Sequence, residues 1–186
     1  MNSQNNYHRY LNIPDYVPSI DISKINTEGL DWIKFHRSID LESLNNPKIT
    51  KWLQSLGLAT FWVEQFYTPE NDASIIHSDT PNWENWSKII YQFSAKGSTM
   101  RWWSSDNIEI IESSYGHPFI HAQEKNSKLE YEVEISQPSL LNVGPLHSSY
   151  NPTNEKRFTV TIALFYPDGT RVLWDDALRI LKDYVE

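Results

Sequence analysis

The feature that most constrains this chain is a series of short strand-like segments between residues 58 and 165. These segments are rich in aromatic and β-branched residues and are separated by turn signals. The predicted strands span residues 58–67, 75–77, 89–93, 99–104, 108–112, 130–135, 139–143 and 157–165. Many short strands at fairly regular spacing are typical of a β-sandwich or barrel, a class that includes jelly rolls and cupins. We therefore predict a mainly β fold.

Helical signals flank the predicted strands. Asn46 is a good N-cap, Pro47 suits the first helical position and Gly57 is a helix stop, so a helix is expected between them. Its apolar face is formed by Ile49, Trp52, Leu53 and Leu56. Residues 175–185 predict a closing amphipathic helix, whereas the segment 27–39 fits a short helix or a strand equally well.

Length and composition set further limits. The 186 residues suit a single domain (1–186), with an N-terminal arm and helices (1–57), a β core (58–166) and a C-terminal helix (167–186). Without cysteine, the chain has no disulfide, thiolate metal site or cysteine nucleophile. The net charge of −8 and the absence of a basic run argue against nucleic acid as a partner. No signal peptide or membrane span is expected, so the cytoplasm is the expected location.

Three short patterns could carry chemistry. His77 and Asp79 are two residues apart, so in an extended segment they share a face and can bind one metal ion together. His147 follows an apolar run and a turn, where a side chain can point into a barrel mouth. Arg157 begins a strand ten residues later and shares one face with Thr159. Each pattern alone also fits an ordinary structural role, namely a turn, a hydrogen-bonded histidine or a solvated edge arginine.

Together, in this order, His77, Asp79, His147 and Arg157 resemble the iron(II)/2-oxoglutarate-dependent oxygenase superfamily. The resemblance covers residues 58–166 and implies a double-stranded β-helix, a jelly-roll or cupin-like fold. It also implies iron(II) bound by the two histidines and Asp79, and 2-oxoglutarate as cosubstrate with Arg157 and Thr159 on its far carboxylate. The presence of the carboxylate implies a hydroxylase rather than a halogenase.

The same resemblance extends to the segments 88–93 and 97–103, which look like the strand pair after the metal motif in small, partly phage-borne members. It makes Tyr91 a candidate additional hydrogen bond to 2-oxoglutarate. Other candidate pocket residues are Trp83, Trp86, Arg101, Trp102, Trp103, His117, His121 and Asn142. Of these, the two histidines are interpreted as loop residues, and the loop 81–87 as a candidate substrate lid.

Two alternatives stay open. A cupin-like binding or structural module would keep the jelly roll without oxidation. A cupin isomerase or dioxygenase would keep the metal but usually needs more histidines than this pattern supplies. The expected partner is a small-molecule, peptide or protein substrate, while the substrate's identity and the oligomeric state are not predicted.

Overall fold

The computed structural model describes residues 6–28, 36–39, 41–112 and 118–186. Thirteen strands are assigned within these ranges. They are β1 (His8–Tyr10), β2 (His36–Ile39), β3 (Val63–Thr68), β4 (Asp72–Ala73), β5 (Ile76–Ser78), β6 (Ser87–Gln92), β7 (Thr99–Ser105), β8 (Ile108–Glu112), β9 (Pro118–Ala122), β10 (Ser127–Glu134), β11 (Ser139–Asn142), β12 (His147–Asn151) and β13 (Arg157–Ala163). The α-helices are α1 (Pro47–Ser55) and α2 (Trp174–Ile180), and single 3₁₀ turns cover Pro14–Tyr16, Ile22–Lys24, Leu41–Leu44 and Glu124–Asn126.

The strands form two antiparallel sheets. Sheet one has the order β1-β11-β6-β13-β3-β2, and sheet two has the order β10-β7-β12-β5-β9-β8, with β4 added beside β12. From β3 onward the chain crosses repeatedly between the sheets: β3, β6, β11 and β13 lie in sheet one, and the intervening segments β4–β5, β7–β10 and β12 lie in sheet two. This alternation is the topology of a jelly roll, so the predicted fold class is confirmed.

Apolar packing on both faces of sheet one explains why this chain forms these layers. On the outer face, Ile89 and Val160 pack with Ile49 and Leu53 of α1 and with Ala177 of α2. On the inner face, a second cluster lies between the sheets; its buried members are Ile90, Met100, Trp102, Ile135, Leu141 and Val143. Strands β6, β11 and β13 are therefore buried on both sides, and the charged residues at their inner positions are enclosed in the barrel.

Several predicted boundaries shift in the structure. Helix α1 begins as predicted, with the Asn46 side chain accepting a hydrogen bond from Lys48 N–H, and the chain leaves it at Gly57, whose φ is +74°. Strand β3 starts at Val63 rather than at residue 58, because the preceding residues make only an isolated bridge between Ala59 and Phe165. Helix α2 ends at Ile180, earlier than predicted.

The chain ends interact with each other and with sheet one. Val185 forms a bridge with Leu11, so the C-terminal residues pair with the N-terminal arm instead of continuing α2. That arm contributes β1, which pairs with β11. In the ambiguous segment 27–39, residues 36–39 form β2, and residues 29–35 lie outside the described ranges. Neither helix in the described ranges combines the length and apolar character needed to cross a bilayer.

Candidate metal centre

Three side chains converge at one end of the barrel. His77 lies in β5, Asp79 follows directly, and His147 begins β12 opposite His77 in the ladder. One ligand atom from each residue lies within 4.8 Å of the other two. The Asp79 Oδ1 atom is 3.2 Å from His77 Nε2 and 3.7 Å from His147 Nε2. The structure thus brings together the three residues predicted as metal ligands, and the set is a possible metal-binding triad.

The ring nitrogens that face away from the triad fix the orientation of both imidazoles. His77 Nδ1 lies 3.0 Å from the Ile75 carbonyl oxygen, and His147 Nδ1 lies 2.9 Å from the Pro145 carbonyl oxygen. A carbonyl only accepts, so each Nδ1 carries a proton, and in the neutral form of either ring the lone pair is on Nε2. Both lone pairs belong to the atoms next to Asp79, which is the arrangement that a metal ion requires.

Electrostatics favour the protonation states that bind metal. Burial, more than any other effect, lowers the pKa of His147 to about 4, so its imidazole is neutral at pH 7. Burial alone would raise the pKa of Asp79. The opposing effects of the Lys88 ammonium and the two imidazoles are together larger, and they hold that pKa well below its usual range. A neutral imidazole and an ionised carboxylate are the forms that act as ligands.

A buried lysine holds the other oxygen of Asp79. Lys88 Nζ lies 2.6 Å from Asp79 Oδ2 and also 2.6 Å from Glu64 Oε2, while Thr161 donates a hydrogen bond to the same Glu64 oxygen. Burial by itself lowers the pKa of Lys88, yet the two carboxylates reverse the effect and raise it. Lys88 therefore stays charged and leaves Oδ1 as the Asp79 oxygen that faces the histidines.

The predicted cosubstrate residues Arg157 and Thr159 lie on the inner face of β13, together with Thr161. Arg157 is 2% exposed; its Nε donates to Gln92 Oε1, and its Nη2 lies 3.6 Å from Met100 Sδ. Burial lowers the pKa of Arg157 to about 10, so the guanidinium remains positive at pH 7. Within the described ranges it forms no ion pair with a carboxylate, so a buried cation faces the barrel interior without an anion.

Tyr91 does not face the barrel interior, contrary to the expectation that it hydrogen-bonds 2-oxoglutarate. Along β6, Lys88 and Gln92 point inward, whereas Tyr91 belongs to the cluster that packs outside sheet one against the helices. Alternation along the strand causes this, since residues at odd spacing face opposite sides. Its hydroxyl is buried without a hydrogen-bond partner, and burial raises its pKa. Tyr91 is therefore not positioned to contact a ligand inside the barrel.

The structure tests the loop interpretation for one of the two histidines. His121 lies in β9 directly opposite His77, so the loop interpretation is wrong for this residue. A paired strand places the His121 side chain on the same face as His77, beside Phe119, whose ring packs against the edge of the His77 ring at 5.9 Å. The His121 Nδ1 atom is buried without a partner. His117 lies outside the described residues.

Of the remaining candidate pocket residues, Arg101, Trp102 and Trp103 lie in β7 of sheet two, and Asn142 ends β11 of sheet one. Trp102 is fully buried between the sheets, and its Nε1 donates a hydrogen bond to the Asn142 carbonyl. The Asn142 side-chain amide donates to the Asn6 carbonyl and to Asn85 Oδ1. Trp103 donates to Ser148 and packs on the opposite face. Arg101, also on that face, pairs with the exposed Glu132.

The loop predicted as a substrate lid contains two tryptophans in different settings. Trp83 is 43% exposed and has a φ of +59°, an unusual value for a residue with a bulky side chain. Trp86 turns inward, and its ring lies against the Arg171 guanidinium.

Sequence reasoning missed Glu64, Lys88 and Arg171. The signal for the first two was present, because each is a charged residue inside a segment that is otherwise uncharged and largely apolar. Such a charge is expected only where a partner compensates it. Their partners come from different strands, so the pairing itself becomes visible only in the folded chain.

No protein-family profile and no curated protein matches this chain. Similar solved structures include a non-haem monooxygenase, ThoJ, in complex with nickel (18% identity, TM-score 0.36, 68% of this chain and 53% of that chain). They also include hydroquinone 1,2-dioxygenase PnpCD with Cd²⁺ (13%, 0.37, 65% and 65%) and recombinant oxalate oxidase with glycolate (9%, 0.41, 89% and 77%). This chain thus spans about half of the monooxygenase. At such identities and TM-scores, reaction and substrate have to be inferred from the site itself.

Proposed function

We propose that this protein is an iron(II)- and 2-oxoglutarate-dependent hydroxylase. The observation that carries the proposal is the joint placement, in one barrel interior, of a His-Asp-His triad and a buried arginine that forms no ion pair with any described residue. Two histidines and one carboxylate are typical ligands of non-haem iron(II), and they leave coordination positions open for a cosubstrate and oxygen. When bound, iron(II) with 2-oxoglutarate would supply the oxidising power for C–H hydroxylation, with succinate and carbon dioxide as coproducts.

The register of the strands separates the triad from Arg157 by a distance that suits a dicarboxylate. His147 pairs with Trp102 across the ladder, and the Arg157 guanidinium contacts Met100, two residues along the same strand. Two residues of a strand span about 7 Å. A five-carbon dicarboxylate suits such a separation, with one end at the metal and the other on the guanidinium. Arg157 would bind the far carboxylate through two parallel hydrogen bonds, with the Thr159 hydroxyl beside it.

The other residues of the site have supporting roles in this proposal. The Ile75 and Pro145 carbonyls hold the imidazoles in the ligating tautomer. Lys88 holds Asp79, and Glu64 balances the charge of Lys88. The apolar cluster around Trp102 keeps water away from the inner wall of the barrel. Each of these contacts is made by the protein itself and orients the candidate ligand atoms.

An anaerobic titration tests this proposal. Iron(II) and 2-oxoglutarate are added to the protein without oxygen, and the weak visible charge-transfer band of the iron–2-oxoglutarate pair is followed. We expect a saturable band in the wild type and in Arg179→Gln, a control at an exposed arginine on α2, and no band in His77→Ala. A wild type without the band, or a His77→Ala protein that retains it, would refute the proposal.

One observation favours the alternative of a non-catalytic binding module. Asp79 is already paired with Lys88 at 2.6 Å, so its charge is compensated without a metal ion. In that case iron(II) would not bind at the triad, and partner binding would persist in His147→Ala. Substrate-dependent succinate formation would exclude this alternative.

A further inference from the structure

The Arg171 guanidinium is enclosed by three aromatic rings. Its central carbon lies 4.2 Å from the ring centre of Phe165, 4.5 Å from that of Trp86 and 5.1 Å from that of Trp62. Contacts of this kind attract the cation and restrict its movement. Arg171 is thus held in a defined position, in a segment between β13 and α2 that the metal centre described above does not include.

The strand register places this cluster beside the metal centre. Trp62 and Trp86 stand two residues before Glu64 and Lys88, so each faces the barrel interior at the next position along its strand direction. Phe165, which pairs with Arg171, follows the inner face of β13 in the same way. The backbone positions of Trp62 and Trp86 are therefore about 7 Å, one strand repeat, from those of Glu64 and Lys88.

Arg171 has no anionic partner in the described parts of the chain. Its Nη1 atom is buried and makes no hydrogen bond. Burial lowers the pKa of Arg171, and the charges of Glu64 and Asp79 act in the opposite direction, so both carboxylates are near. Among the described residues neither carboxylate forms an ion pair with Arg171, and each is bonded to Lys88. A guanidinium that is largely removed from water and has an unused N–H donor is suited to bind an anion.

Exposed apolar side chains border the cluster. Phe61 is 63% exposed, and its ring packs against the edge of Phe165. Leu173 is 44% exposed and forms a bridge with Trp86. A cation next to aromatic rings and exposed apolar side chains is a combination that suits an amphipathic ligand.

We propose that Arg171 binds a carboxylate of the substrate, whose apolar part lies against the surrounding aromatic side chains. This inference rests on the proposed function, because it assigns the substrate's anchor beside the site of oxidation. In this arrangement Arg157 binds the carboxylate of the cosubstrate, and Arg171 binds the carboxylate of the substrate. A guanidinium suits both, since its planar fork matches a carboxylate.

Matched probes test the assignment. Phenylacetate, 3-phenylpropionate and indole-3-acetate are each compared with the corresponding primary amide, which has similar shape but no charge. Binding is measured by saturation-transfer NMR with the zinc-loaded protein in saturating 2-oxoglutarate, so that Arg157 is occupied, and again with metal-free protein. We expect at least one acid to bind ten or more times tighter than its amide. Arg171→Met should abolish this preference, and Arg179→Met, a surface control, should keep it.

Three results would overturn the inference: no binding of any acid, equal binding of acids and amides, or an unchanged preference in Arg171→Met. Loss of 2-oxoglutarate affinity in Arg171→Met with an unchanged affinity in Arg157→Met would also overturn it. A thermal melt verifies that Arg171→Met is folded, and Arg171→Lys should restore part of the acid preference. If the charge-transfer band forms but acids are not preferred, only this inference fails. If acids are preferred but the band is absent, only the proposed function fails.

Discussion

The chemistry of the centre depends on how single charged residues are compensated inside the barrel. Lys88 is 6% exposed and Glu64 is 4% exposed, and they neutralise each other while Lys88 also holds Asp79. Removing one member of such a group leaves the others charged in a medium that solvates them poorly. Stability and metal affinity are therefore coupled through the same ammonium group.

Lys88→Met tests this coupling. We expect the free energy of unfolding to fall by about 3–5 kcal/mol, because Glu64 and Asp79 lose their buried counter-ion. Urea denaturation monitored by tryptophan fluorescence measures the change. Glu64→Gln, which keeps the pairing of Lys88 with Asp79, is the matched control and should cost less. In the double variant Lys88→Met/Glu64→Gln, part of the loss should be recovered; equal stabilities of single and double variants would contradict the pairing.

Arg157→Lys tests the role of the buried arginine. Lysine keeps the charge but cannot form two parallel hydrogen bonds to one carboxylate. We expect the affinity for 2-oxoglutarate to fall at least about tenfold, or about 1.4 kcal/mol, with little change in iron binding. Arg101→Lys is the matched control, since Arg101 pairs with Glu132 on the outer face of sheet two. Equal losses in the two variants would show that Arg157 has no special role.

At the scale of elements, strand alternation explains which predictions succeed. The i, i+2 spacing of His77 and Asp79 places both beside His147, because β5 and β12 are neighbours in the sheet. The same alternation puts Tyr91 on the wrong face. Local sequence could not resolve this, since both faces of β6 are buried and both carry apolar residues. His121 was misassigned because Pro118 reads as a loop residue, yet it begins a strand in sheet two.

The pairing of β1 with β11 contains a buried histidine that makes stability depend on pH. Burial and Arg9 lower the pKa of His8 to about 4, below the usual 6.5. As the pH falls, His8 therefore becomes protonated in the unfolded chain at a higher pH than in the folded protein. The contribution to stability is complete above pH 6.5 and declines as the pH falls toward 4, by about 3 kcal/mol in total. His8→Gln cannot take up the proton, so its unfolding free energy should fall less over this range.

Denaturation curves at pH 7 and at pH 4.5 measure the difference between His8→Gln and the wild type. His8 Nε2 lies 3.2 Å from Ser139 Oγ, so Ser139→Ala is a control that removes the contact but keeps the titrating ring. It should show the acid sensitivity of the wild type. Identical pH profiles of wild type and His8→Gln would contradict the assignment.

The turn between β11 and β12 relies on the absence of a side chain at Gly144. A Cβ there would clash with the backbone of Glu84 and Asn85, and the Gly144 carbonyl accepts a hydrogen bond from Ser78. Gly144→Ala should therefore push apart the segments that carry Asp79 and His147. We expect a lower melting temperature and weaker metal binding by calorimetry. Gly97→Ala, where a Cβ has open space but φ is +94°, serves as a comparison that should affect stability alone.

At the scale of the whole molecule, the charges around the barrel interior determine which ligands can enter together. Glu64, Asp79, Lys88 and Arg157 sum to zero, so iron(II) requires a dianion to enter with it, and 2-oxoglutarate is one. Arg171 adds one positive charge, which the proposed substrate carboxylate would match. The fold class was readable from strand spacing, but this balance was not, because its members come from strands far apart in sequence.

The most direct test of the central claim is a crystal structure of the protein prepared anaerobically with iron(II) and 2-oxoglutarate, with anomalous scattering recorded at the iron edge. We predict one iron bound by His77 Nε2, Asp79 Oδ1 and His147 Nε2, and the far carboxylate of 2-oxoglutarate on Arg157. Iron at any other position, or 2-oxoglutarate bound without contact to Arg157, would contradict the account.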